Sequence, residues 1–332
     1  MRYIVVSETG IYSHMFKTLF NDLISQEGNY FVNSYLDESN TLRKFLFKVL
    51  YDRRVNRLFK SNFEPLLKPK YSLVSVMNEC NGQPKCVIFT NASLLKKYYN
   101  ENSLKRIKKN FPNTKFVLYF VDSVFQPGSK EAVKLANHHI FDLVYTYSKE
   151  DARKYGYLYF PTPYSKLNFD NICSTPEKGV YFCGSEKGRT GLLTDVAKRL
   201  KANNVNYQFD INGNPDHSNE YFKVNTADKQ VAYDKVLEKT LKYSCILDLI
   251  QNSLDGTMPG LSLRVLESFV YGRVLITNNP AIKRFRYYNP TYMHYISDAR
   301  DIKSEWMTML PENKYRGQLS PLNLAQDIEN RL

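Results

Sequence analysis

Two stretches combine the residue types needed to hold an anion and a sugar. The first is CGSEKGRTG, Cys183 to Gly191, in which Gly184, Ser185, Lys187 and Arg189 follow an apolar run and precede a helical pattern. Cations beside the positive end of a helix suit a phosphate, and an ordinary turn with solvated cations fits the same residues. The spacing is that of neither a P-loop nor G-x-G-x-x-G. The second is MPGLSLRVLESFVYGRVLITNN, Met258 to Asn279. There Pro259 and Gly260 let the backbone approach a ligand, Leu261 follows, Ser262 can cap a helix, and the free amides of the first turn suit a diphosphate. Arg264 and Glu267 stand at i and i+3 on one helix face. They can pair with each other, or offer one ligand an arginine for its phosphate and a carboxylate for its ribose diol.

Both stretches need strands before them and helices after them, and the pattern supplies these. Strands are expected at Arg2 to Val6, near Tyr30 to Tyr35, and at Lys85 to Thr90, Lys115 to Val121 and Leu143 to Tyr147, with helices at Tyr12 to Ile24 and Leu42 to Lys60. A proline-rich linker at Tyr157 to Asp170 introduces a second series. It has strands at Val180 to Cys183, Tyr207 to Ile211, Ser244 to Ile250 and Arg273 to Thr277, and helices at Gly191 to Ala202, Ala232 to Leu241 and before the stop at Gly272. Alternation of this kind predicts an α/β protein of two Rossmann-like domains with parallel sheets. The boundaries read as 1–160, 161–310 and a tail, 311–332, ending in a helix that packs back on the body. In open α/β sheets ligands sit beyond the carboxyl ends of the strands, where both stretches fall.

The 332 residues exceed one hydrophobic core, and 43% hydrophobic with 24% charged residues excludes a disordered chain. A net charge of +13 calls for an acidic partner without choosing among nucleic acid, anionic membrane and phosphorylated substrate. The five scattered cysteines lack a C-x-x-C pair, which suits buried thiols in a reducing compartment. With no apolar leader or spanning run, a cytoplasmic protein is expected. The segment Thr41 to Lys60 sets Leu42, Phe45, Leu46, Val49 and Leu50 against Arg43, Lys44, Arg53, Arg54 and Arg57. Such a helix suits an anionic membrane surface on the inner face of the membrane or a core helix with a solvated face.

The stretch GLSLRVLESFVYGRVLITNN resembles the signature of bacterial GT-B glycosyltransferases of lipopolysaccharide, capsule and exopolysaccharide synthesis. That group carries Gly-Leu-Thr-x-Arg-x-x-Glu followed by Gly-Lys-x-Leu-Ile-Thr-x-Asn. VLYFVDSV, Val117 to Val124, and FDLVYTYSKEDARKYGYLYFPTPY, Phe141 to Tyr164, are similar to two further segments of the group, so the likeness spans both halves. The resemblance implies a GT-B fold with two Rossmann-like domains facing a central cleft. It implies a nucleotide-sugar donor as substrate, no separate cofactor, and a glycan or lipid-linked acceptor. Glu267 matches the glutamate that holds the donor ribose, and Gly260, Arg264 and neighbouring amides match the diphosphate site. Gly184 and Arg189 match the first phosphate loop less closely. Pro259 stands where many retaining members carry a glutamate, and Val121 where the group often has an aromatic residue.

No Asp-x-Asp triplet occurs in the chain, so no metal is expected; arginine, lysine and a helix dipole would neutralise the leaving diphosphate. An inverting displacement needs a base for the acceptor hydroxyl. Asp122 is the first candidate, with a structural aspartate as the alternative, and Glu8 and His14 by the first βα loop are the others. His138 and His139 read as structural. A second class of function fits the same charge: a non-catalytic protein that binds nucleic acid or acidic polysaccharide. No nucleic-acid motif is present, and nucleic acid is not the expected partner.

Overall fold

The computed structural model describes residues 1–7, 11–33, 73–80, 85–94, 99–169, 175–186, 188–226, 231–250 and 260–332. Glu8, Lys187, Pro259 and the segment Thr41 to Lys60 lie outside them, as do the end of the expected strand near Tyr35 and of the linker at Asp170. The chain forms two units, Met1–Ser165 together with Leu319–Leu332, and Lys166–Gln318.

The first unit holds a six-stranded sheet in the order β2-β1-β3-β4-β5-β6, every neighbouring pair parallel. Its strands are β1 (Arg2–Ser7), β2 (Tyr30–Asn33), β3 (Lys85–Thr90), β4 (Lys115–Phe120), β5 (Leu143–Thr146) and β6 (Leu158–Tyr159). KCVIFT in β3 is buried at every position, the continuous apolar run expected of a parallel strand covered on both faces. The rings of Tyr99, Phe116 and Phe141 meet the Phe89 ring edge-on at 5.3 to 5.8 Å, building the core beside it.

The expected helix Tyr12 to Ile24 is two helices, α1 (Ile11–Leu19) and α2 (Asn21–Ile24). Between them Phe20 is fully buried with φ −99° and ψ 11°, outside the helical region. The last helix, α10 (Pro321–Arg331), buries Pro321, Leu324, Ala325 and Ile328 and belongs to this unit. Sheet tyrosines hold it: Tyr3 donates to the Ala325 carbonyl at 2.9 Å and Tyr145 to Asp327 at 2.7 Å. His138 follows the helix α5 (Lys130–Asn137) and pairs with Glu101 at 2.7 Å, and His139 takes a positive φ of 53°.

The second unit has the strand order β12-β11-β10-β7-β8-β9, again all parallel. These are β7 (Glu177–Ser185), β8 (Asn206–Asn212), β9 (Val224–Asn225), β10 (Tyr243–Asp248), β11 (Val274–Thr277) and β12 (Met293–Tyr295). Counted from β7, this is the dinucleotide-binding order 3-2-1-4-5-6 read from the other edge, and its direction reverses between β7 and β10. Helices α7 (Thr190–Ala202), α8 (Tyr233–Leu241) and α9 (Leu263–Tyr271) connect the strands. Gly272 closes α9 in the left-handed conformation, φ 63°, returning its N–H to the Ser268 carbonyl. The expectation of two Rossmann-like parallel sheets therefore holds. Among the described residues no helix is long and apolar enough to cross a membrane.

Gly179 lies in β7 against β8, where an added Cβ would stand 2.6 Å from the Asn206 carbonyl oxygen. Gly191 in α7 has nothing within 4 Å of the same position. Gly179→Ala is expected to lower unfolding free energy by about 1–3 kcal/mol. Gly191→Ala should leave it unchanged or raise it by up to about 1 kcal/mol. Urea denaturation of the two variants beside the parent checks both.

Candidate functional site

The reversal between β7 and β10 brings the two stretches together. β7 runs further than the sequence suggests: Gly184 and Ser185 are strand residues, paired with Ile211 and Asn212, because β8 continues in register as far as Asn212. The turn begins at Glu186. Its carboxylate accepts the Asn214 N–H at 3.0 Å and pairs with His217, and these bonds hold it below the usual glutamate range. The Arg189 N–H then donates to the Glu186 carbonyl at 2.6 Å, and α7 starts.

Arg189 turns back across the strand ends. One terminal nitrogen donates to the Leu249 carbonyl at 2.7 Å, just past β10, and the other to the Ser185 hydroxyl at 3.1 Å. Its Nε is buried without a hydrogen-bond partner among the described residues. Arg264, on the first turn of α9, arrives from the other stretch. The two guanidinium carbons lie 5.9 and 5.4 Å from the centroid of the same Phe182 ring. An added Cβ at Gly184 would stand 3.2 Å from an Arg264 nitrogen, so Gly184 makes room for a side chain rather than for a bend.

The counter-charge is Asp248, at the end of β10 and 1% exposed. It stands 3.9 Å from Arg264 and accepts the Thr277 hydroxyl at 2.9 Å. Arg264 thus faces a buried carboxylate whose charge is also felt by Arg189. Burial, and then the charge of Arg264, depress the pKa of Arg189, while the charge of Asp248 opposes them.

Glu267, one turn beyond Arg264, is 4% exposed. Rather than pairing with Arg264, it accepts the Tyr233 hydroxyl, from the first residue of α8, at 2.7 Å. Burial raises its carboxyl pKa, while Tyr233 and the charge of Arg264 pull it down. Ser262 sits at the N-cap position of α9 but makes no cap bond, correcting the expectation; its hydroxyl is buried without a partner among the described residues. Leu261 and Gly260 precede it, half-buried. Val265 N–H donates to the Ser262 carbonyl at 3.2 Å, while the amides of Leu263 and Arg264, at the start of this nine-residue helix, lack an acceptor within it.

Two asparagines just past β11 fix these loops. Asn278 closes a two-way bond with the backbone of Ile250, accepting its N–H at 2.8 Å and donating to its carbonyl at 3.1 Å. Asn279 donates to the Gly260 carbonyl at 3.0 Å. The signal was present in ITNN after β11: in a fold that binds at strand ends, polar residues just beyond a strand are placed to order neighbouring loops.

The remaining candidates lie in the first unit. His14 is exposed on α1. Asp122 is exposed in the loop after β4, yet crowding by protein atoms raises its carboxyl pKa, which makes the ionised form a stronger base. That loop is held from both sides, Val121 N–H donating to Asn91 at 2.9 Å and Val124 N–H to the buried Asp151 at 3.1 Å. The described residues contain no group of three or more His, Cys, Asp or Glu side chains arranged to hold a metal ion.

No family model matches the chain, and no curated protein matches it. Among solved structures, it is similar to AviGT4, a glycosyltransferase involved in avilamycin A biosynthesis, at 12% identity over 100% of this chain and 96% of that one, with a TM-score of 0.56. The chain has the GT-B fold. The spinosyn rhamnosyltransferase SpnG aligns at 13% identity over 99% of this chain and 100% of that one, TM-score 0.43. S. aureus MnaA, solved with UDP, aligns at 12% over 100% and 97%, TM-score 0.44.

Because Glu267 has a raised pKa in the folded chain, its ionisation costs stability. That cost is absent below the ordinary glutamate value of 4.5 and grows as pH rises through the window between it and the raised folded value. Glu267→Gln keeps an acceptor for Tyr233 without the charge. Thermal denaturation from pH 4 to 8 should show the variant gaining on the parent as pH rises; parallel curves would contradict the raised pKa.

Proposed function

We propose that this protein is a glycosyltransferase that moves a sugar from a nucleotide-sugar donor to a cell-surface glycan or lipid-linked acceptor, without a metal ion. The observation that carries this reading is the pair Arg189 and Arg264 over one Phe182 ring at the strand-order reversal, Arg264 facing the buried Asp248 and Arg189 tied to the Leu249 carbonyl, beside the N-terminus of α9. A diphosphate supplies the anionic charge that this pair lacks. A helix start adds its amides and its dipole. AviGT4, with the same fold, is named a glycosyltransferase, which supports the class of reaction.

In this reading the donor diphosphate lies on Gly260, Leu261, Ser262 and Arg264 and against Gly184, Ser185 and Arg189, with Lys187 and Pro259, adjacent in sequence, as further donor-binding residues. Glu267 takes the ribose. As the sugar–oxygen bond breaks, negative charge grows on the departing diphosphate, and fixed guanidinium groups lower the barrier most where that charge develops. Asp122 is the base that takes the proton of the acceptor hydroxyl, with Glu8 and His14 as the other candidates. The segment Thr41 to Lys60 brings the enzyme to an anionic membrane surface, where a lipid-linked acceptor resides. No cofactor takes part.

Thermal denaturation with a panel of nucleoside diphosphates and nucleotide sugars tests the reading. A ligand at about 100 times its Kd adds about 2.7 kcal/mol, a clear rise in Tm. One nucleotide is expected to give that rise, and Arg264→Ala to remove it. Slow release of nucleoside diphosphate from the matching sugar nucleotide is expected as well. No rise with any nucleotide would instead favour a binding protein for nucleic acid or acidic polysaccharide.

A further inference from the structure

Glu267 meets a second side chain whose effect goes beyond packing. Tyr233 opens α8, the helix between β9 and β10, and its hydroxyl reaches the carboxylate of Glu267 at 2.7 Å. Both α8 and α9 begin on the carboxyl side of the sheet, where parallel strands hand the chain to their helices. A buried carboxylate without a donor would tend to protonate, becoming part donor and losing acceptor capacity. A carboxylate has about four lone-pair positions, and Tyr233 takes one on Oε1. The rest can accept the two hydroxyls of a diol, with the group's plane already fixed by the tyrosine.

We propose that Tyr233 is a positioning residue for ribose: by fixing Glu267 it sets a preference for ribonucleotides over 2′-deoxyribonucleotides. The proposal rests on the donor site described above. Among the described residues, the ionisable groups around Glu267 are Tyr233 on α8, Arg264 on α9, Asp248 on β10 and Cys183 on β7. Of these, Tyr233 is the one hydrogen-bonded to it. Its removal therefore acts on the orientation and ionisation of Glu267 and leaves the arginine pair in place.

Calorimetric titration of the full chain with UDP, GDP, ADP and CDP, each beside its 2′-deoxy form, and with inorganic pyrophosphate tests this. The parent is expected to bind one ribonucleotide about tenfold more tightly than its deoxy form, the value of one hydrogen bond to a charged group. In Tyr233→Phe that ratio should fall toward one while pyrophosphate affinity stays unchanged. The pH below which the remaining preference disappears should move upward, because Glu267 loses the donor that favours its ionised form. A ratio unchanged in Tyr233→Phe, but lost in Glu267→Gln, would overturn the role of Tyr233 and leave the donor site standing. Failure of every nucleotide to bind the parent would overturn both. If Tyr233→Phe does not fold, 3-fluorotyrosine at the same position keeps the ring and strengthens the donor; the ratio should then rise, and an unchanged ratio overturns the proposal.

Discussion

Two guanidinium groups held beside a single buried carboxylate set the terms for the second unit. Arg189 and Arg264 repel one another, and each is partly withdrawn from water, so neither would stay in place without other restraints. Those restraints are visible. Arg189 is tied to the Leu249 carbonyl and the Ser185 hydroxyl, Arg264 faces Asp248, and both lie over Phe182. Asp248 is in turn fixed by Thr277 from the neighbouring strand. The pair is held by bonds that run to the sheet itself.

The same economy governs the loops. Ile250 and Gly260 mark the two sides of the segment that enters α9, and one side chain from the turn after β11 binds each of them, Asn278 and Asn279. Asn279 also caps the short helical turn that follows, accepting the Ala281 N–H at 3.0 Å. A pair of neutral amides fits this task, since each can donate and accept at once and adds no charge where cations already crowd. Glu267 and Tyr233 follow the same logic deeper in the unit, a carboxylate made tolerable in its buried place by one directed donor.

In the first unit the loop after β4 has a comparable design around a different group. Asn91 and Asp151 clamp the backbone on either side of Asp122, which leaves that carboxylate on a fixed backbone while it still reaches solvent.

Much of this was legible from the chain alone. Buried strands of a parallel sheet are unbroken apolar runs, so KCVIFT, KFVLYF and VLIT announce themselves, and Gly272 announces a helix stop. The gathering of cations was legible in part, in the arginines near helix starts, because it depends on residue type and local spacing. Local spacing could not show that Ser262 would leave its cap unmade, that Gly184 would serve as space for Arg264, or that α10 would join the first unit. It also offered Arg264 and Glu267 to each other, whereas the fold gives them Asp248 and Tyr233. The sequence by itself determined which segments could be strands and helices and which charges were available. Tertiary structure decided the partner of each charge, because the deciding bonds link residues 34 and 60 positions apart, which meet only once the strands have taken their order in the sheet.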